Sequence, residues 1–125
     1  MNRVVRGTRA RQTGRMAEYL ALIHLMLKGY RILGFRLKTP QGEIDILARK
    51  GKRLAVIEVK QRQRHEDAAI AVTSMQQDRL WQAGLALQEN RPSLRKLDLS
   101  IDLYTVAPGQ WPVHIISAFE KIERF

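Results

Sequence analysis

Four carboxylates, Glu18, Glu43, Asp45 and Glu58, stand among 16 lysines and arginines in residues 1–64 of this 125-residue chain. Three of them lie in runs where charged and apolar residues alternate, Glu43-Ile44-Asp45-Ile46-Leu47 and Ile57-Glu58-Val59-Lys60. As strands, such runs have one charged face and one apolar face. A two-residue hairpin at Gly51-Lys52, with glycine at the first central position of a II′ turn, would set Lys50 opposite Arg53, Asp45 opposite Glu58 and Glu43 opposite Lys60. Asp45 and Glu58 then share a face with Cβ atoms about 4.5–5.5 Å apart. A slip of one residue would split the carboxylates and mix the apolar set of Ile44, Ile46, Ile57 and Val59. A longer loop of the same parity would stagger the pair by two residues. Opposed carboxylates repel, at a cost of roughly 0.2–1 kcal/mol, so a cation belongs between them. Lys60 is one candidate. The other is a divalent ion, Mg2+ or Mn2+, held by two acids, a backbone carbonyl and water. The plainer reading of charged residues on a strand is a solvated face with cross-strand ion pairs.

The elements that must position these groups follow from periodicity. A helix is predicted over 13–28, with Thr13 as N-cap, Gly29 as the terminating residue, and Met16, Leu20, Ile23 and Leu27 on a buried face. Strands are predicted over 30–38, 43–50 and 53–60, then a second helix over 68–90 closed by Pro92. Alternating Leu97, Leu99, Ile101 and Leu103 give a fourth strand, and 113–116 a fifth. The order α-β-β-β-α-β-β describes an α/β domain on a central mixed sheet of about five strands flanked by helices. Residues 1–12 read as a flexible basic arm and 13–125 as a single domain.

Charge is the other informative feature. The chain carries 22 basic and 12 acidic residues, net +10; residues 1–64 hold 16 and 4, and residues 65–125 hold 6 and 8. A basic half facing a near-neutral one is the footprint of a protein that meets polyphosphates. With no cysteine, disulfides, cysteine-ligated zinc and thiolate catalysis are excluded. His24, His65 and His114 are scattered and are assigned no chemistry. The apolar run 19–27 is too short for a bilayer and lacks a cleavage site, so no membrane association and a cytoplasmic location are expected.

Glu18 on the first helix, Gly42-Glu43-Ile44-Asp45-Ile46-Leu47, and Ile57-Glu58-Val59-Lys60 together resemble the PD-(D/E)xK nuclease superfamily. More narrowly, the chain is similar to the YraN-like family, whose nearest functional analogues are archaeal Holliday junction resolvases. The resemblance runs from about Gly14 to Phe119 and includes Gly29-Tyr30, Ala71-Val72-Thr73, Arg79-Leu80 and Ile101-Asp102.

The resemblance implies a restriction-endonuclease-like fold and metal-dependent hydrolysis of DNA phosphodiester bonds, at branched or single-stranded junctions. Asp45, Glu58 and the Val59 carbonyl would hold Mg2+ or Mn2+, with Glu18 as an extra metal or water ligand. Lys60 would orient or deprotonate the attacking water, and Glu43 would support it from behind. A homodimer would follow from the need for two active sites at a junction. Departures from the pattern are Ala17 for glycine, Ile44 for proline, Gln61 for threonine and Gln76 for lysine; none removes a metal ligand.

Arg15, Lys50, Lys52, Arg53, Arg62 and Arg64 are the candidate phosphate contacts, giving nucleic-acid binding without base readout, DNA favoured over RNA. Trp81 and Asp102 read as structural, and Trp111 as more open. Two rivals keep the fold: a catalytically weak nucleic-acid-binding module, and an assembly factor meeting RNA. A binding module would tolerate loss of the carboxylates.

Overall fold

The computed structural model describes residues 3–121, with side chains from Arg15 onward. Helix α1 (Arg3–Leu27) is followed by strands β1 (Arg31–Thr39), β2 (Gly42–Lys50) and β3 (Arg53–Gln61). Helices α2 (His65–Ile70) and α3 (Ser74–Asn90) and a 3-10 turn (Pro92–Leu94) lead to β4 (Asp98–Val106) and β5 (Val113–Ile115). The five strands form one sheet in sequence order, β3 and β4 parallel and every other neighbouring pair antiparallel. The parallel pair follows from the helical crossover between them. The expected five-stranded mixed sheet between helices is what the chain forms.

Two apolar clusters lie on opposite faces. Ala17, Ala21 and Leu25 of α1 pack with Ile46, Ala48, Ile57, Val59 and Tyr104. Leu80 and Ala83 of α3 pack with Ile44, Leu47, Leu54, Val56 and Ile101. Gly84 lets α3 settle close to the sheet, since a Cβ there would lie 2.9 Å from Leu99. β3 is buried on both faces at its centre, 54–57, as the middle strand of such a sandwich must be.

Three expectations need correction. α1 is continuous from Arg3, well before Thr13: its start carries five arginines, which favour helix, and no proline to break it, and these outweigh Gly7, Gly14 and the β-branched Val4, Val5 and Thr8. The arm expected over 1–12 is thus helical from Arg3; residues 1–2 and the side chains through 14 lie outside those described. The face chosen as buried is the exposed one: Met16, Leu20, Ile23 and Leu27 point outward, while Ala17 and Ala21 allow α1 to approach the sheet closely. The second helix is two. Thr73 starts α3 afresh with a capping box, its hydroxyl accepting from Gln76 N and the Gln76 side chain accepting from Thr73 N. Among the described residues no helix is long and apolar enough to cross a membrane.

Candidate functional site

The β2–β3 hairpin turns at Gly51, whose φ of 61° with no positive φ at Lys52 suits the expected II′ geometry. Pairing runs from Lys50↔Arg53 to Ile46↔Ile57 in the expected register, and there it stops. Asp45 and Glu58 are not ladder partners. β2 distorts at Asp45, so that Ile44 joins the cluster under α3 while Ile46 joins the one under α1. The four apolar residues therefore do not share a face. The neighbouring strand is irregular at the same level, with Arg36 at φ 51° between the pairs Phe35↔Ile46 and Leu37↔Ile44. Where the ladder ends, the Val59 N–H donates to the Asp45 carboxylate at 2.9 Å.

Glu58 is salt-bridged to Lys60 at 3.3 Å, both side chains mostly covered. Glu43 is exposed and lies opposite Lys38 of β1 rather than Lys60. Asp45 is pushed up to about 7, first by burial and then by the charge of Glu58; the Val59 N–H and Lys60 pull it down and Glu18 adds to the rise. The two strand carboxylates and Glu18 thus feel one another, and the helix glutamate is delivered to the same end of the sheet.

Glu18 has a partner that the sequence reading missed. Arg36 donates to it through Nε at 2.6 Å, while its guanidinium sits 4.7 Å from the Phe35 ring centroid and 5.3 Å from that of Tyr19. Arg36 Nη2 is buried without a hydrogen-bond partner among the described residues. Nothing in the local pattern of Phe35-Arg36-Leu37 marks a left-handed residue, and the β1–β2 register is the same on either side of it.

Asp45 and Glu58 offer hard oxygen donors of the kind that bind Mg2+ or Mn2+, ions that keep several waters and need only one or two carboxylates. Partly buried like charges side by side fit such a cation. Among the described residues, however, no three His, Cys, Asp or Glu side chains gather to hold a metal. The arrangement suits a two-carboxylate site, with Glu18 held by Arg36.

The basic candidates divide into two groups. Arg15, one turn before Glu18, is exposed, as are Arg62 and Arg64 just beyond Lys60, with Arg64 paired to Asp67 at 3.3 Å. Lys50 and Lys52 are exposed at the other end of the hairpin, Lys52 being roughly 27 Å from Lys60 along β3. Arg53 turns inward to Asp102 and Ser100 and to the Tyr30 hydroxyl. At the start of β2, Gly42 has φ 131° and a Cβ there would lie 2.9 Å from Arg79 Cδ, so the α3 arginine lies directly over it.

Asp102 is fully buried and structural, as its place on the strand suggested. It accepts from Arg53 at 2.8 Å, Ser100 at 2.9 Å, the Ser117 N–H at 3.0 Å and His114 at 2.8 Å. The Lys28 ammonium, which has only donors, sits 3.0 Å from His114 Nδ1. Nδ1 therefore accepts, and Nε2–H donates to Asp102. His24 meets the Tyr104 hydroxyl at 2.6 Å, and burial lowers the pKa of His24. None of the histidines reads as isolated once the strands are assembled: His65 reaches Thr105, the β4 neighbour of Lys60, at 2.5 Å.

The family model described as "Uncharacterised protein family UPF0102" matches residues 17–106, a span that includes Glu18, the β2–β3 hairpin, and β4. Relatives named "UPF0102 protein" include one from Caulobacter vibrioides, 54% identical over 114 residues, covering 91% of each chain. One from Rhodopseudomonas palustris is 47% identical over 109 residues, covering 87% of this chain and 84% of its own. Another, from Parvibaculum lavamentivorans, is 44% identical over 113 residues, covering 90% of this chain and 85% of its own. With the family match spanning the helix, the hairpin and the strand that build the site, the chain belongs to the UPF0102 family.

Proposed function

We propose that this protein is a metal-dependent nuclease of the PD-(D/E)xK type, hydrolysing phosphodiester bonds in DNA, with branched or single-stranded junctions as the favoured substrate class. The observation that carries this reading is the early end of the β2–β3 ladder, where Asp45, hydrogen-bonded to Val59 N, stands beside Glu58 with Lys60 3.3 Å from Glu58. Asp45 and Glu58, with the Val59 carbonyl, would hold Mg2+ or Mn2+. Such an ion, when bound, lowers the pKa of water and withdraws charge from the scissile phosphate. Lys60 supplies a fixed positive charge for the phosphate oxygens as the new P–O bond forms and the ester oxygen leaves. Arg15, Arg62 and Arg64 flank this end of the sheet and would hold the nucleic-acid backbone.

A second reading, a nucleic-acid-binding module without catalysis, is favoured by the engagement of Glu18 by Arg36 and the absence of a third metal-ready carboxylate among the described residues. The test is cleavage of labelled single-stranded, duplex and four-way-junction DNA, and matched RNA, with Mg2+ or Mn2+, comparing wild type with Asp45→Ala and Glu58→Ala. Metal-dependent cutting lost in both variants supports the nuclease. Binding without cutting, equal in all three proteins, leaves the binding module.

A further inference from the structure

α1 is apolar on two opposite sides. Ala17, Ala21 and Leu25 face the sheet, spaced four apart along one stripe. On the far side Met16, Tyr19, Leu20, Ile23, Met26 and Leu27 are exposed, by 43% at Leu20 up to 82% at Leu27. Single exposed apolar residues need no explanation, but a contiguous stripe of six on one helix marks an interaction surface. Met16, Leu20, Ile23 and Leu27 follow one another at intervals of four, three and four, the spacing of a helix-pairing seam, with Tyr19 and Met26 along its flank.

From this spacing and exposure we infer that α1 is a homodimer interface, in which the outer seams of two copies pack antiparallel. The area is adequate. The six side chains present roughly 600 Å², so a pair buries about 1,200 Å², at the lower limit of the 1,200–2,000 Å² typical of stable interfaces. Charge sets the direction. The first half of α1 carries Arg3, Arg6, Arg9, Arg11 and Arg15 and no acid, so a parallel pair would bring two arginine-rich ends together. Antiparallel packing holds those ends apart and aligns the helix dipoles favourably. A seam centred between Leu20 and Ile23 places Leu20 of one copy against Ile23 of the other. The interface uses none of the carboxylates or Lys60, so it stands whether or not the chain cuts nucleic acid.

Sedimentation of the full chain at about 1–100 µM tests the association. The expected result is twice the chain mass for wild type, and the single-chain mass for Leu20→Asp and Ile23→Asp with unchanged far-UV circular dichroism. A wild-type monomer throughout this range overturns the inference, as does a dimer that survives both substitutions. A wild-type monomer that co-floats with anionic phospholipid vesicles overturns it in favour of a membrane-facing helix. Because the chain has no cysteine, Leu20→Cys and Ile23→Cys introduce unique thiols. In an oxidised mixture of the two, distinguished by tag length, the antiparallel pair gives mainly the mixed disulfide. Preferential Leu20→Cys self-linkage indicates parallel packing and overturns the proposed arrangement.

Discussion

The Asp45 carboxylate takes the place of a backbone acceptor: Val59 N, 2.9 Å away, would donate to the Ile44 carbonyl had the antiparallel ladder continued in register. β2 is thereby free to leave β3 without stranding a buried N–H, and the side chain that satisfies it is the one placed beside Glu58. Local backbone satisfaction and the convergence of charge are one device.

Asp45→Asn keeps an acceptor for Val59 N and removes the buried charge facing Glu58. At pH 8 without divalent metal, it should raise stability by about 1 kcal/mol, roughly 3–6 °C in melting temperature, and it should abolish the proposed metal-dependent cleavage. A lower melting temperature by differential scanning fluorimetry would show that the charge is compensated in the folded protein.

Asp102→Asn should be among the most damaging substitutions, at about 3–5 kcal/mol by urea unfolding, because Arg53 and His114 lose a buried ionic partner. Burial pushes Asp102 up, but its bonds to His114, the Ser117 N–H, Arg53 and Ser100 outweigh that and hold it below the ordinary carboxylate value. Its stabilisation is therefore complete above the unfolded-state value, near pH 4, and is lost as pH falls through the lower folded-state value. Unfolding curves of both proteins between about pH 3 and 8 check the sign.

Arg36→Gly and Arg36→Ala both remove the Glu18 ion pair, yet only glycine adopts φ 51° without strain. Glycine should be the more stable variant by about 1 kcal/mol, the reverse of the usual order in a strand. Equal stabilities in guanidinium titrations would mean that the backbone relaxes once the arginine is gone.

Gly84→Ala places a Cβ 2.9 Å and 3.0 Å from the Leu99 methyls and 3.2 Å from Val56 Cγ2. Overpacking between α3 and the sheet should cost about 1–3 kcal/mol, against the gain alanine normally gives inside a helix. The chevron or equilibrium urea midpoint reads this directly.

The hairpin was legible because two-residue turns fix register and the alternation of Ile46, Ile57 and their neighbours reinforced it. What periodicity could not give was the point at which pairing ceases, since Asp45 leaves the β3 ladder at the level of the left-handed Arg36 in β1. α1 shows a different limit. A helix apolar on both sides offers two burial stripes, and residue size favours Met16, Leu20, Ile23 and Leu27; the choice instead goes to Ala17 and Ala21, whose small side chains shorten the helix-to-sheet distance. Glu18 was visible as a lone acid in a basic helix, whereas Arg36 became its partner through a backbone conformation that no residue type there announces. Thr73-x-x-Gln76 was a readable cap inside a run taken as one helix.

The parallel pairing of β3 with β4 also orders events during synthesis. α1 and the β1–β2–β3 meander, with Glu18, Asp45, Glu58 and Lys60, are complete by Gln61, and their contacts are close in sequence. β3 nevertheless remains a raw edge, with Leu54 and Val56 still awaiting α3, until Asp98–Val106 has left the ribosome and docked. The nascent chain thus presents a finished cationic half with one sticky border, and the near-neutral half arrives as its closing piece.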